Sequence, residues 1–348
     1  GGGDFMRHRD FAAFIWPSAL AMLLFIALPI VSVFVQSMFV EHEQVLVTVE
    51  NCGPFGCTDE TKVDTEATRV LREEEPLGRF NAFGTYLNRS HLAVEEIAEI
   101  LESSNGFVDV VTRIYNLPFY KALSFTLVYT FLVTPLAMIA GFAVALGVNS
   151  VPRLFRGPII FLSLLPYIVT PLLGSLILFW MINSDGIIGA TLQWLFNDPE
   201  LSLKASPVLS WLTLITYGTW HMAPFAFVVF YAGLQTLPMD TLESAMIDGA
   251  NRWERIRYVV MPHLTPLATF VGLVLLMDNF RVFEPIIGFS SEANATSLSW
   301  LIYNDLTGQV NQLFGSAAAT SILTMIGVII LLSPVLVRTW RDFKRKAR

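Results

Sequence analysis

The stretch ALSFTLVYTFLVTPLAMIAGFAVALGV, Ala122–Val148, contains 27 consecutive residues without a charged side chain. As a helix it would be about 40 Å long, because each residue adds about 1.5 Å. The hydrocarbon core of a bilayer is about 30 Å thick, so the stretch is long enough to cross it. The stretch therefore predicts a membrane-spanning helix.

Five further segments have the same apolar character, and the composition agrees with them. Only 15% of the 348 residues are charged and 54% are hydrophobic, whereas soluble domains carry about a quarter charged residues. We therefore predict an all-α integral membrane protein with six transmembrane helices. The predicted spans are residues 11–40, 121–148, 158–183, 208–234, 264–289 and 313–337.

Basic residues predict the orientation of the chain. Residues 1–10, the tail 338–348 and the two loops that six spans place on the same side together carry thirteen Lys and Arg residues, against seven on the other side. Six of those seven lie in one long loop, and long loops cross membranes largely regardless of charge. Short loops rich in Lys and Arg stay in the cytoplasm. We therefore expect both termini to be cytoplasmic.

The long loop, residues 41–116, is the polar part of the chain. It holds fifteen acidic and six basic residues, and it lies between the first and second spans, on the outer side. The β-branched run Val45–Val49 predicts a short strand, and His91–Ser103 predicts a helix that faces inward with Leu92, Ile97 and Ile100 or Leu101. The loop is an extracytoplasmic insertion that serves either as a docking surface or as a packing cap.

The only cysteines of the chain, Cys52 and Cys57, lie in this insertion within NCGPFGC. In an oxidising external compartment such a pair favours a disulfide that closes a tight loop. Two free thiols are the alternative. A metal site has little support, because no His or further Cys lies close by in the sequence.

A charged segment separates the fourth and fifth spans. It reads PMDTLESAMIDGANRWERIRYVVMPHLTP, Pro238–Pro266, and its apolar residues recur at helical spacing. Asp240 and Glu243 have the spacing of an N-cap and N3 pair. The segment, with the predicted loop bounds 235–263, is either a solvated connector or a cytoplasmic surface that contacts a soluble partner.

Polar residues inside the spans indicate a solute site. Asp278, Arg281 and Glu284 are three residues apart near the end of the fifth span, where ionisable groups normally face a cavity or a partner. One interpretation is that they pair with one another on a shared helix face. The other is a site for a hydrophilic solute, with the amide of Asn279 and with aromatic rings of the fourth span, Tyr217, Trp220, His221 and Phe225.

Several kinds of chemistry have no motif in this sequence. None of the five lysines follows a glycine, so a phosphate-binding G-x-x-x-x-G-K-[ST] loop is excluded. H-E-x-x-H and G-x-S-x-G are absent too. We therefore predict that the chain is not an enzyme, binds no metal or other cofactor itself, and does not bind nucleic acid.

The charged segment resembles the EAA motif of bacterial ABC importer permeases, commonly written EAA…G…I-LP. Glu243-Ser-Ala, Asp248-Gly249-Ala, Ile256 and Met261-Pro262 stand at its spacing. Ser244 and Met261 depart from the usual Ala and Leu. The resemblance covers about Lys121–Val337 and implies a coupling helix that contacts an ATPase subunit. The implied coupling residues are Glu243, Ser244, Ala245, Asp248 and Gly249.

The resemblance extends to the carbohydrate importers of the maltose type. Thr219–Phe225 and Asn279–Ile286 are similar to two stretches of those permeases. The resemblance implies that Trp220, His221, Met222, Phe225, Asn279 and Arg281 contact the substrate. His221, Met222 and Arg281 differ in chemistry from the family, which indicates a ligand other than maltose. Arg281 suits an anionic sugar, although an internal pair with Asp278 or Glu284 explains it equally well.

The resemblance also implies the partners of the chain. They are a second permease subunit, two cytoplasmic ATPase subunits that bind ATP and magnesium, and a periplasmic substrate-binding protein. The chain would then move a sugar, polyol or sugar derivative into the cell. The alternatives are an ion-coupled secondary transporter that uses Asp278 or Glu284 as a proton site, and a structural membrane scaffold.

Overall fold

The computed structural model describes residues 3–42, 45–53, 56–104, 106–308 and 312–346. Side chains are described for all of these except residues 3–10, 12, 50–53, 56–60, 342, 343, 345 and 346. The chain divides into two units, Gly1–Tyr120 with Leu301–Met325, and Lys121–Trp300 with Ile326–Arg348.

The described part of the chain is mostly helical. In order its elements are α1 (Gly3–Met22), a π-helical turn (Leu23–Ala27), α2 (Leu28–Gln36), β1 (Phe39–Val40), β2 (Leu46–Gly53), β3 (Gly56–Val63), α3 (Thr65–Glu74), β4 (Arg79–Phe80), α4 (Gly84–Leu87), α5 (Val94–Ser103), α6 (Phe107–Tyr115), α7 (Pro118–Ser150), α8 (Arg153–Ile168), α9 (Pro171–Ile182), α10 (Ile187–Phe196), α11 (Pro207–Gln235), α12 (Met239–Ile247), α13 (Arg252–Arg255), a second π-helical turn (Ile256–Val260), α14 (Met261–Phe280), α15 (Glu284–Gly288), α16 (Leu298–Thr307) and α17 (Phe314–Lys346).

Among the described residues, five helical segments are long and apolar enough to cross a membrane. They are Ala13–Gln36, Pro118–Ser150, Pro207–Gln235, Arg252–Phe280 and Phe314–Arg341. The pair α8 and α9 makes a sixth span if it is counted as one. With that pair counted as one span, the number agrees with the six predicted spans. Each span is an apolar run long enough to cross the bilayer.

The third predicted span, residues 158–183, is not one straight helix. α8 and α9 meet at an angle of 94°, with Val169 and Thr170 in extended conformations between them. Pro171 is the cause: it has no N–H to donate and disfavours a helical conformation at the residue before it. The hydroxyl of Tyr217 donates a hydrogen bond of 2.8 Å to the carbonyl of Pro171, so a neighbouring helix satisfies part of the broken backbone.

Segment 41–116 folds within the first unit. β2 and β3 form an antiparallel hairpin in which Cys52 lies directly opposite Cys57, and β1 pairs with β4. The predicted strand at Val45–Val49 corresponds to β2. The predicted Cys52–Cys57 disulfide concerns side chains outside the described part of the structure, so it stays a prediction.

The helix predicted from His91 begins three residues later, at Val94. Ala93 ahead of it has a φ of +48°, which is incompatible with a right-handed helix. Ala93, Ile100 and Leu117 form the small buried core of this region. Leu101, one of the two alternatives for the inward face, is exposed, so Ile100 occupies that position.

His91 is a fully buried hydrogen-bonding residue in the same unit. Its Nδ1 lies 2.8 Å from Oδ1 of Asn88, and its Nε2 lies 3.1 Å from the carbonyl oxygen of Ser316 and 3.1 Å from the hydroxyl of Thr320. Ser316 donates its own hydroxyl to Asp305 at 2.6 Å. Burial lowers the pKa of His91 despite the opposing Ser316 carbonyl and Asp305 charge, and burial raises the pKa of Asp305.

We expect acid to loosen this contact. Because the pKa of folded His91 lies below its ordinary value of 6.5, its contribution to stability is complete above about pH 6.5 and is lost as the pH falls below that value. Protease cleavage of segment 41–116 in the reconstituted protein should therefore be faster at about pH 5.5 than at about pH 7.5. His91→Gln should remove this difference, whereas Asp305→Asn should retain it. Equal cleavage of the unaltered protein at the two pH values would contradict the prediction.

One buried core of the second unit lies between α7, α11 and α14. Ala137, Phe227, Phe230, Leu264 and Val271 are among its buried members. α7 and α11 approach closely at Gly141, where an added Cβ would lie 2.6 Å from the backbone nitrogen of Phe227. Small residues at such crossings are how helices pack in membranes.

Gly141→Val is therefore expected to lower the thermal stability of the purified protein. Overpacking of this kind typically lowers the free energy of unfolding by about 1–3 kcal/mol. The clash cannot be relieved easily, because the backbone of α11 cannot move aside as a flexible side chain would. Gly147→Val in the same helix is the matched control, because a Cβ at Gly147 meets no atom within 4 Å. The midpoint of thermal unfolding in detergent distinguishes the two variants, and equal midpoints would refute the close crossing.

Candidate functional site

Aromatic rings from two helices meet in the second unit. The ring of His221 stacks on Tyr217 with centroids 5.8 Å apart, and Tyr167 lies 6.0 Å from His221 and 6.2 Å from Phe225. Trp220 lies 6.1 Å from Tyr217. We call these five residues, Tyr167, Tyr217, Trp220, His221 and Phe225, the aromatic cluster. Three of the predicted substrate residues are therefore neighbours.

Two members of the aromatic cluster are exposed, Trp220 at 51% and Tyr167 at 48%. Trp220 lines a groove of about 540 Å³ together with residues of α7 and α8. Most of the lining is apolar, with the hydroxyls of Ser163, Thr216 and Thr219 among it. His221, in contrast, is buried, and its Nδ1 has no hydrogen-bond partner.

The other five predicted substrate residues do not line this groove. Asn279 is buried, and its Nδ2 donates a hydrogen bond of 3.0 Å to the hydroxyl of Thr134, while its Oδ1 has no partner. Met222 packs against the core between α7, α11 and α14. Leaving a buried amide oxygen unpaired costs about 1–3 kcal/mol of stability. Oδ1 of Asn279 is therefore free to accept a hydrogen bond from a water or a ligand hydroxyl.

The sequence pattern predicted one shared helix face for the three ionisable residues of the fifth span. In the structure they do not share one. α14 ends at Phe280, Arg281 follows it, and Glu284 begins α15. Phe283, between them, has a φ of −147° and a ψ of −59°, and Pro285 follows Glu284, so the helical ladder of α14 does not continue. The predicted span 264–289 is therefore two helices.

Asp278 and Arg281 nevertheless form an ion pair. Nη2 of Arg281 lies 2.8 Å from Oδ1 of Asp278, and both side chains are partly exposed. The carboxylate of Glu284 is exposed and near enough to Tyr217 and His221 to act on them electrostatically. Within the described residues no group of three or more His, Cys, Asp and Glu side chains is arranged to hold a metal.

The predicted coupling residues lie on α12 and the turn that ends it. Glu243, Ser244 and Asp248 are exposed, Ala245 is partly buried, and Gly249 follows the helix with a φ of +82°. The N–H of Ala250 bonds to the carbonyl of Ala245, and the N–H of Gly249 bonds to that of Met246. This is a Schellman motif, whose left-handed residue is most often glycine.

The charged segment is therefore not one helix. The positive φ of Gly249 ends α12, and a second helix starts at Asn251, whose side chain forms a capping box with Glu254. The predicted N-cap at Asp240 is wrong, because Pro238 occupies that position without a side-chain bond. The side-chain N-cap of this segment is Asn251, which directly precedes α13.

Apolar side chains surround Glu243 on the exposed side of α12. Met239, Met246 and Ile247 are all exposed, whereas Leu242 packs against the core of the second unit. Large apolar residues clustered around a charge mark an interaction surface more often than a solvated connector.

The sequence interpretation did not identify Tyr167. It lies one residue after Pro166 and shortly before the break at Val169 and Thr170. Two prolines flanking an aromatic residue in an apolar span, Pro166 and Pro171, were the available indication. Irregular backbone at membrane depth is tolerated only where it is buried in protein or lines a cavity.

The chain belongs to a known family of membrane transport proteins. Residues 114–340 match the family described as the binding-protein-dependent transport system inner membrane component. It is thus the translocation subunit of an ATP-driven ABC importer, and ATP hydrolysis belongs to a separate subunit. The alternative of an ion-coupled secondary transporter is not supported.

Individual relatives cover most of the same region. The chain is 28% identical to the sn-glycerol-3-phosphate transport system permease protein UgpA of Rhizobium meliloti, over 64% of this chain and 76% of that protein. It is 30% identical to the inner membrane ABC transporter permease protein YcjO of Escherichia coli, over 65% and 77%. It is 29% identical to the trehalose/maltose transport system permease protein MalF of Thermococcus litoralis, over 61% and 71%.

Solved structures agree at the level of the fold. A chain of a bacterial ABC transporter involved in the import of the acidic polysaccharide alginate matches with a TM-score of 0.59 and 20% identity, over 78% of this chain and 95% of that chain. A chain of the alginate transporter in complex with alginate pentasaccharide-bound periplasmic protein matches with a TM-score of 0.64 and 18% identity, over 95% and 94%.

Proposed function

We propose that this importer carries a neutral carbohydrate or polyol and that the chain pairs with a second permease subunit. Two cytoplasmic ATPase subunits, which bind ATP and magnesium, would contact α12, and a periplasmic binding protein would deliver the substrate. Both termini and α12 would then be cytoplasmic, and segment 41–116 external. The relative named for trehalose/maltose supports the neutral carbohydrate class.

The aromatic cluster, with the carboxylate of Glu284 within electrostatic range, is the observation that carries this proposal. Aromatic faces suit the C–H faces of a sugar ring, and a carboxylate accepts hydrogen bonds from hydroxyls. Trp220 provides an open ring face, and Glu284 provides an exposed carboxylate that acts electrostatically on Tyr217 and His221.

Charge favours a neutral substrate over an anionic one. Arg281 is already paired with Asp278, so its charge is offset before any ligand binds. Glu284 then leaves the three residues with a net charge of one negative unit. A phosphate or uronate group would meet repulsion at that carboxylate, whereas a hydroxyl would find an acceptor.

The test is ATP hydrolysis and uptake by the complete transporter in proteoliposomes. With its binding protein present, we expect stimulation by a neutral sugar or polyol and little stimulation by phosphorylated sugars or uronates. Stimulation by anionic sugars alone would refute the substrate class. Uptake by this chain alone that follows the proton gradient and ignores ATP would refute the proposed assembly.

A further inference from the structure

α6 carries more apolar surface than its protein contacts use. Val110 and Ile114 pack against the core formed by Ala93, Ile100 and Leu117. A second set, Phe107, Val108, Val111 and Tyr115, is exposed, with Phe107 at 82% and Val108 at 77%. At about 100° per residue this second set covers an arc of about 100° next to the packed positions. We call it the exposed arc of α6.

The opposite side of α6 is polar and already engaged. Asp109, Thr112 and Arg113 lie there. Nη1 of Arg113 donates a hydrogen bond of 2.9 Å to the hydroxyl of Ser103 and lies 4.0 Å from Asp109. These contacts and the packed side fix the rotation of the helix, so the direction of the exposed arc is set.

The chain places α6 next to a membrane span. α6 ends at Tyr115, and α7, which begins the span Pro118–Ser150, follows after Asn116 and Leu117. Two residues reach no farther than about 7 Å. Leu117 and Phe119 are buried, and the hydroxyl of Tyr120 donates a hydrogen bond to the carbonyl of Leu92, so this junction is packed and not a free linker.

We propose that α6 is an interfacial helix whose exposed arc is immersed at the boundary of lipid headgroups and acyl chains, on the side of segment 41–116. Helices with one apolar and one charged side bind membranes in this way, and Tyr115 is of the residue type enriched at that depth. The inference requires only that α7 spans the bilayer, and it holds for either orientation of the chain.

A protein partner is the competing occupant of the exposed arc. Protein interfaces combine an apolar centre with a polar, hydrogen-bonding rim. The exposed arc has no charged residue, and the charges of α6 lie on the opposite side. Only two residues of chain separate α6 from a membrane-spanning helix, which favours lipid.

Collision accessibility of spin labels tests the proposal in the complete transporter, reconstituted in phosphatidylethanolamine and phosphatidylglycerol. Single cysteines are placed at Val108 and, as the matched control, at exposed Thr112, in a chain with Cys52→Ser and Cys57→Ser. We expect the label at position 108 to collide more with oxygen than with nickel-EDDA, and the label at position 112 to show the reverse. Preferential collision with nickel-EDDA at position 108 would overturn the proposal, as would shielding from both reagents, which would indicate a protein partner.

If the chain with Cys52→Ser and Cys57→Ser does not assemble into the transporter, a crosslinking experiment that keeps both cysteines tests the same proposal. Benzoylphenylalanine in place of Phe107 is expected to form a lipid adduct on illumination, detected by the mass of the peptide. The same group in place of Thr112 should not form one. An adduct to the binding protein or to another subunit at position 107, without lipid adduct, would overturn the assignment.

Discussion

Gly249→Val is expected to abolish both ATP hydrolysis stimulated by the binding protein and substrate uptake, while the complex still assembles. Gly249 holds the left-handed position of the Schellman motif that ends α12, with a φ of +82°. A side chain there costs about 1–2 kcal/mol, and a β-branched residue tolerates the conformation least. A cost of about 1.4 kcal/mol already lowers the equilibrium constant for forming the native turn about tenfold.

The turn matters because it directs the proposed docking surface of α12. Glu243, Met246 and Ile247 are exposed on that helix, and α13 restarts at Arg252, directly after the turn. If the turn is lost, α12 no longer has a defined direction relative to α13 and α14. ATP hydrolysis would then be uncoupled from the spans, even though each helix persists.

Gly157→Val is the matched control for this prediction. A Cβ at Gly157 also meets no atom within 4 Å, but Gly157 lies inside α8 with no left-handed φ. Stimulated hydrolysis, uptake and copurification of the subunits are measured for both variants. If Gly249→Val retains full coupling, then α12 is not the coupling element, and Glu243→Ala should be equally silent.

Trp220→Ala is expected to raise the substrate concentration needed for half-maximal uptake by roughly 30-fold. The indole is half exposed and lines the groove between α7, α8 and α11. Losing contact with a sugar face of about 80 Å², at about 25 cal/mol per Å², costs about 2 kcal/mol, which is about a 30-fold loss of affinity. Trp220→Phe should lose less, because a ring face remains.

Trp194→Ala provides the control for removing a large exposed ring. Trp194 lies on α10 and is 81% exposed, outside the aromatic cluster. Uptake kinetics and the yield of assembled complex are compared for the two variants. Wild-type uptake by Trp220→Ala would exclude this groove as the substrate path, and loss of assembly by Trp220→Ala alone would point to a packing role.

Asn279→Ala is expected to abolish uptake without preventing assembly, but it is a harder variant to interpret. The side-chain amide of Asn279 donates a hydrogen bond to the hydroxyl of Thr134 within the core. The substitution therefore removes this partner of a buried hydroxyl, and it also removes a candidate ligand contact. Exposed Trp220 separates these two effects more cleanly, because little of its packing is lost.

Local patterns predicted the spans because the cost of exposing charge to lipid acts on each residue separately. For the same reason the charged residues around α12 and the acidic residues of segment 41–116 marked these two segments as lying outside the membrane. The break between α8 and α9 was missed because Val169 and Thr170 are uncharged and leave hydropathy unchanged. The end of α14 at Phe280 was missed for a related reason: three charges at helical spacing fit a continuous helix as well as a broken one.

What the sequence by itself determined was the class of protein, its number of spans and the position of its proposed coupling helix, because each depends on neighbours along the chain. The tertiary structure decided which side chains meet. Tyr167 joins His221 and Phe225 only because α8 packs against α11, and Asn279 bonds to Thr134 only because α14 and α7 pack into one core. These contacts join residues far apart in the sequence, so no local pattern encodes them.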